Sequence, residues 1–430
     1  MRSTILMMAA LCLEGIAARP QTDPNKPVTL IPRAEARPKA DNYQNHAEAA
    51  LDRLQQWYNH DTGLWKSYDP SWWQSANALT TLLDMVQTGS PRAGVIASVV
   101  IPNTFQAAGA FNVRSKHGLK RRAAAATTKD DNQNPFSNGF YDDMGWWAVA
   151  WMRAYDVTGN QTYLDTAEAL FADMTTGWGT SCWPEGMWWD KQHTHIDPIA
   201  DTLFLETAAR LANRVPASDQ KKKQQYVDWA VRAWDGLRKG PMYVSSSDEH
   251  YVTAADGVDP KTCRLKKDPH GYTYSNGALV SGLVALSNAT GNRDYLQEAH
   301  NIAHTVMKIM VSKDGILIEP GIDQAHPGES APQFKGVFMR ALTQLHTADP
   351  RAEYHEFAQR CADSIWDKDR QGEEKRGGYG DTGAGGVELG PDWNGPFHGA
   401  ANASPQSSAM DGLVAAWAMT RQMEKMGGKG

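Results

Sequence analysis

Apolar residues recur at helical spacing along almost the whole chain. The patterned stretches lie near 44–58, 72–87, 92–105, 142–158, 162–175, 198–213, 220–238, 275–289, 293–310, 332–347, 351–366 and 406–424. They alternate in character. The first member of each pair is apolar nearly all round and rich in small residues, as in "ANALTTLLDM" and "SSAMDGLVAAWAM"; the second carries Lys, Arg and Glu on one face. Two pairs show the repeat directly: "WWAVAWMRAYDVTGNQTYLDTAEALFADM" and "ALVSGLVALSNATGNRDYLQEAHNIAHTV" both pass from an apolar helix through Thr-Gly-Asn into Tyr-Leu and a more polar helix. Six such hairpins predict an all-α fold, an (α/α)6 barrel with six inner helices wrapped by six outer ones and the 44–58 helix closing against the last. An open array of helix pairs is the rival, but it favours short, equal loops.

The connections are unequal in a regular way. Turns within a hairpin run to about four residues, while links between hairpins run to roughly twenty to forty, far beyond the usual length. In a barrel the long links share one end, which is then the expected functional end. The longest, 106–141, contains "KRRAAAATTKDDNQNP" and reads as an exposed loop, with Lys120, Arg121 and Arg122 as a possible cleavage point. Aromatic residues gather in these links: "SYDPSWWQ", "CWPEGMWWD", "HGYTYSNG" and "GPDWNGPFHG" each lead into an inner helix. Trp and Tyr beside Gly, Pro, Asp and Asn describe a partly wet cleft, and flat ring faces suit sugars.

Composition narrows the partner. The net charge of −6 and isoelectric point near 6.1 supply no broad basic field for nucleic acid, so a neutral or weakly charged partner is expected, and the aromatic cleft makes that a glycan. Residues 1–18 read as a secretory signal peptide and 19–40, Pro-rich and polar, as a flexible lead segment, leaving 41–430 as a single catalytic domain. The expected location is extracellular. No other run looks apolar enough to span a bilayer and the tail carries no anchor signal, so no membrane anchor is expected; nor is any cofactor, and the state expected is monomeric. Cys182 and Cys263 lie in loop-like sequence and can pair, whereas Cys361 falls in a helical pattern and reads as a buried thiol. The sequons at Asn160, Asn288 and Asn402 agree with secretion.

Candidate chemistry centres on "FYDDMGWWAVAW", Phe140 to Trp151. Adjacent acids at a helix start have an ordinary explanation, since they accept from free backbone N–H groups. Here they open an inner helix at the loop-rich end, among aromatics, where charge is costly to desolvate without a use. Glycosidic cleavage requires two carboxyl groups, one ionised and one protonated when configuration is retained. With Asp142 still outside helical geometry, the two could flank a bound sugar. Trp146 and Trp147 read as walls and packing. His193 and His195 in "HTHID" form too weak a spacing for a metal site, and none is expected. Glu185, Asp190 and Glu319 are spare carboxylates at the same end.

These residues resemble the family 76 glycoside hydrolases, endo-α-1,6-mannanases and fungal cell-wall relatives built on an (α/α)6 barrel. The resemblance spans about 44–424 and rests on "YDDMGWWAVAWMRAYDVTGNQTYL", "TYSNGALVSGLVALSNATGNRDYL", "FKGVFMRAL", and "WNGP" followed by "QSSAMDGLVAA". It implies Asp142 as nucleophile and Asp143 as general acid/base, in a retaining mechanism through a glycosyl-enzyme. The substrate contacts expected are Trp72, Trp73, Asn77, Tyr141, Trp188, Trp189, Asp201, Tyr274, Asn276, Lys335 and Trp393. Departures from the family pattern at Tyr274 to Gly277 and at Asp197, Pro198 and Asp201 touch these contacts. A transglycosylase of mannan or GPI-glycan and a non-catalytic glycan-binding barrel are the alternatives to a mannan hydrolase.

Overall fold

In the computed structural model of this chain helix follows helix: α1 (Ala40–Gln56), α2 (Trp72–Thr88), α3 (Pro91–Arg122), α4 (Tyr141–Thr158), α5 (Gln161–Met174), α6 (Pro198–Ala212), α7 (Gln220–Lys239), α8 (Thr273–Thr290), α9 (Arg293–Ile309), α10 (Phe334–Ala348), α11 (Ala352–Lys368) and α12 (Ala403–Gly427). The structure describes residues 40–68, 71–122, 134–253, 257–266, 271–371, 386–399 and 402–427. The expected signal peptide, 1–18, and nearly all of the expected lead segment, 19–40, lie outside the described residues.

The Thr-Gly-Asn motif builds the tight reversals. Gly159 takes a left-handed conformation (φ 69°) to end α4, and Asn160 caps α5 by accepting from the Thr162 N–H at 3.1 Å. Gly291 and Asn292 repeat this between α8 and α9. Each even-numbered helix therefore starts at the long-link end and finishes at the short-turn end.

The even helices form a closed ring: α2 packs on α4, α4 on α6, α6 on α8, α8 on α10, α10 on α12 and α12 back on α2. Their all-round apolarity is explained by burial on every side. Every residue of α6 is buried, whereas α7 buries only one face through Val227, Ala230, Ala233, Trp234, Gly236 and Leu237. The outer helices α3, α5, α7 and α9 lie on α2, α4, α6 and α8, while α11 and α1 both pack on α12. The (α/α)6 barrel is thus the observed architecture. Its inner helices approach closely at glycine: a Cβ on Gly277 would lie 2.8 Å from the backbone N and Cα of Phe338.

Two expectations fail at α3. The tract from 106 was expected to be loop, yet the helix runs to Arg122, because Ala, Phe, Asn and Val there continue a helix as readily as they fill a loop. Residues 123–133 lie outside the described set. No second apolar run of membrane-spanning length was expected, but Pro91–Val113 meets that test by length and composition. In the barrel it is an outer helix against α2, tied to α1 through Arg92 and Asp52.

The long links are stapled. Short hairpins β1/β2 (Tyr58–Asn59 with Leu64–Trp65), β3/β4 (Tyr243–Ser245 with His250–Val252) and β5/β6 (Arg370–Gln371 with Glu388–Leu389) order three of them. A disulfide between Cys182 and Cys263 joins the α5–α6 link to the α7–α8 link, and Cys361 is a buried free thiol. The bridge closes a loop of 81 residues. Its removal by Cys182→Ser with Cys263→Ser is expected to cost about 2–4 kcal/mol. Urea unfolding checks this: the double variant should match reduced wild type and be insensitive to reductant.

Candidate active site

Helix α4 begins at Tyr141, so Asp142 and Asp143 are already helical, contrary to the expectation that Asp142 precedes the helix. An extended Phe140 precedes them and bridges Asp190. Around that bridge the 186–197 segment is strapped to the helix start. The Tyr141 N–H donates to the Trp189 carbonyl (2.9 Å), the Lys191 N–H to Gly139 (2.9 Å), and the Trp189 N–H to His195 (2.9 Å). The strap sets the Trp189 ring beside Phe140 and delivers its indole N–H to Asp142 Oδ2 at 2.8 Å.

The two carboxyls occupy unequal surroundings. Asp142 accepts from the Trp189 indole and, through Oδ1, from the Asp143 backbone N–H at 2.8 Å. Asp143 accepts from the Asn138 amide at 2.6 Å, and Asn138 is itself held by the Phe140 N–H. Burial pushes the Asp142 carboxyl up to about 6, opposed by those donors. Burial and the charge of Asp142 together push Asp143 well above the ordinary carboxylate range, with only Asn138 opposing. The arrangement favours the charge on Asp142 and the proton on Asp143.

The rest of the mouth is aromatic. Trp73 of α2, Trp146 of α4, Tyr274 of α8 and Phe334 of α10 form a closed cycle across the barrel. Successive ring centroids are 6.1, 6.4, 3.9 and 6.3 Å apart. Tyr272 extends it at 5.1 Å from Phe334. Asp142 and Asp197 both lie within electrostatic reach of Tyr274, whose hydroxyl is pushed up chiefly by burial and further by these acids.

Of the expected sugar contacts, Trp73, Trp189 and Tyr274 join the aspartates at this mouth. The others do not. Trp72 is buried against Phe136 and Trp147. Tyr141 lies under Gly177 with its hydroxyl on Thr176. Trp188 stacks on His193 and donates to the Gly179 carbonyl. Asn77 is buried beneath the mouth, bonded to Arg340 and to the Trp73 carbonyl. Asn276 spends its amide on both backbone groups of Val252, clamping β4. Lys335 donates to the Pro391 carbonyl (2.6 Å) and lies over the fully buried Trp393. Asp201 receives the Met187 N–H at 2.9 Å, and burial pushes its carboxyl well up. Asn276, Lys335 and Asp201 hold the long links rather than line the mouth, because polar side chains near a loop end serve unpaired backbone groups first.

The spare carboxylates are likewise engaged. Asp190 accepts from the Thr194 N–H, Glu319 from the Thr273 N–H, and Glu185 pairs with Arg232 on the outer surface. His193 and His195 have separate partners, His195 facing Lys266 and Asp197. Among the described residues no three His, Cys, Asp or Glu side chains gather as a metal-ligand set. Sequence reasoning missed Asn138, Tyr272 and Phe334. Aligning the inner-helix starts would have found Phe334, which opens α10 where Trp73 and Tyr274 stand second in α2 and α8.

Comparison with known proteins places the chain. The family model described as Glycosyl hydrolase family 76 matches residues 42–424. A mannan endo-1,6-alpha-mannosidase of Saccharomyces cerevisiae is 26% identical over 192 residues, 42% of this chain and 39% of that protein. The match thus spans well under half the length of that curated relative. Among solved structures, the alpha-1,6-mannanase GH76A of Salegentibacter sp. HEL1_6 is 20% identical with a TM-score of 0.66, covering 88% of this chain and 99% of that one. That structure is an inactive variant with two consecutive aspartates replaced by alanine, in complex with alpha-1,6-mannotetrose. Dfg5 from Chaetomium thermophilum, solved in complex with glucosamine, is 16% identical with a TM-score of 0.66, covering 89% of this chain and 91% of that one. At such identities the likeness establishes the shared fold.

Proposed function

This chain belongs to glycosyl hydrolase family 76, and from that premise we propose that it is a secreted enzyme cleaving internal α-1,6-mannosidic bonds of mannan with retention of configuration. Asp142 is the nucleophile and Asp143 the general acid/base. The observation that carries this reading is the inequality of the pair. Asp142 holds two donors, whereas Asp143 has one donor and meets the charge of Asp142 as well as burial, which favours the proton on Asp143.

In the first step the Asp142 carboxylate forms a bond to the anomeric carbon while Asp143 gives its proton to the departing glycosidic oxygen. In the second, Asp143 takes a proton from water, which displaces Asp142 from the sugar. The start of α4 favours negative charge on Asp142 after each cycle. Trp73 and Tyr274, half-buried and backed by the buried Trp146 and Phe334, supply flat faces for sugar rings. The substrate class is supported by the alpha-1,6-mannotetrose complex of the Salegentibacter relative and by the name of the yeast relative.

Incubation with unbranched α-1,6-mannan, with reducing ends and product anomers followed by NMR, tests the proposal. Internal cleavage with α-anomers released first is expected. Absence of turnover, or β-anomers first, overturns it; longer products with little net hydrolysis would show transfer instead.

Trp189→Phe supplies a sharper check. Loss of the indole donor raises the Asp142 pKa, so the acid limb of the kcat/KM profile should move to higher pH. A fall in kcat of roughly tenfold or more at pH 6, partly recovered at pH 8, is expected. An unshifted limb would refute the role given to Trp189.

A further inference from the structure

At the end of the barrel away from the aspartates, where the inner helices finish, the ring opens into a cavity of about 750 Å³. That is the size range of small-molecule sites, roughly 300–1,000 Å³. Its wall is cationic although the chain as a whole is acidic: Arg153, Arg210, Arg214, Arg340, Arg421 and Lys425 line it. Four carboxylates each take one guanidinium: Asp84 with Arg153, Glu206 with Arg210, Asp156 with Arg214 and Asp411 with Arg340. Arg421 and Lys425 are left without a carboxylate partner among the described residues. Arg421 spends one N–H on the Thr88 carbonyl, and its other donors, with Nη2 of Arg153 and Nη1 of Arg210, have no acceptor in the described structure. Burial holds the buried Arg210 guanidinium below its usual range; Glu206 opposes this, while Arg153 and Arg214 repel it further. Convergent guanidinium forks without enough carboxylates suit the planar, bidentate recognition of phosphate oxygens.

We propose that this cavity is a second binding site, for a sugar-sized anion bearing a phosphate group, gripped by Arg421, Arg153 and Lys425. It is separated from the catalytic mouth by the aromatic cycle and by the Arg210 and Arg340 networks on the barrel axis. The site stands independently of the mannanase reading.

Isothermal titration of the full chain, made without N-glycans because Asn288 of a sequon lines the cavity, tests it. Mannose 6-phosphate, inorganic phosphate and mannose are titrated at one ionic strength. Binding of mannose 6-phosphate but not of mannose is expected, weakened tenfold or more by Arg421→Gln and several-fold by Lys425→Gln. Equal binding of inorganic phosphate would assign recognition to the phosphate alone; weaker binding would assign part of it to the sugar. Lys425 is exposed at the end of α12, so its variant should fold even if Arg421→Gln does not. No binding of either phosphate at millimolar concentration, or binding unchanged in the variants, overturns the proposal.

Discussion

Asp142→Asn is expected to lower mannan turnover by roughly a thousandfold or more, while Asp143→Asn loses about 10²–10⁴-fold on mannan but retains much of its first step on an aryl mannoside. The difference follows from the roles proposed for the pair. A dinitrophenolate departs without a proton, so the missing acid is bypassed, whereas no neighbouring side chain replaces the attacking carboxylate. In Asp143→Asn the alkaline limb of the pH profile should vanish, since Asp143 supplies it by losing its proton. Comparable loss in both variants on the aryl substrate would reverse or dissolve the division of labour.

The same substitutions make a stability forecast of definite sign. Burial raises both carboxyls above their unfolded values, so their contribution is full below pH about 4 and is lost as pH rises through the folded values. Asn cannot ionise. Both variants should therefore unfold at higher urea concentration than wild type at pH 8, with the gap closing toward pH 4. Stability is given up where the chemistry needs charge, and removing the chemistry returns it. A gap that persists at pH 4 would count against desolvation as the cause.

The largest structural effect is expected at Gly277. Its α-carbon faces the backbone of α10, and the atoms a Cβ would meet, Phe338 N and Cα, belong to a rigid helix rather than to a movable side chain. Gly277→Val should destabilise by about 3 kcal/mol or more, because overpacking against backbone outweighs any gain in stiffness. The neighbours make the cost functional as well: Tyr274 and Phe334 lie one turn away on the two helices forced apart. Gly139→Ala, where nothing lies within 4 Å, should stay within about 0.5 kcal/mol by urea unfolding.

These residues also show what a sequence can and cannot say. The hairpin repeat was legible because Gly and Asn in Thr-Gly-Asn have backbone tasks few other residues perform, and because burial on all sides removes charge from the inner helices. The aspartate pair stood out for the same reason: charge at the edge of an apolar stretch requires an explanation. Asn77, Asn276, Lys335 and Trp393 were misread since composition fixes which helix end a residue occupies, not which way it points. Asn276 and Lys335 turn toward loop carbonyls, and only the fold reveals which backbone groups lack partners. Asn138 was invisible because its function depends on a single amide reaching Asp143 across a turn.

The packing of α1 and α2 on α12 has a consequence for how the protein is made. The first helices of the barrel obtain their last neighbours from residues 403–427, which are synthesised after every other helix of the ring. Until then α2 presents an apolar flank to solvent or to other chains, which is the condition for aggregation during synthesis. Ring closure is therefore a late step with high sequence separation between partners, and the nascent five-hairpin arc is the species a chaperone would need to shield.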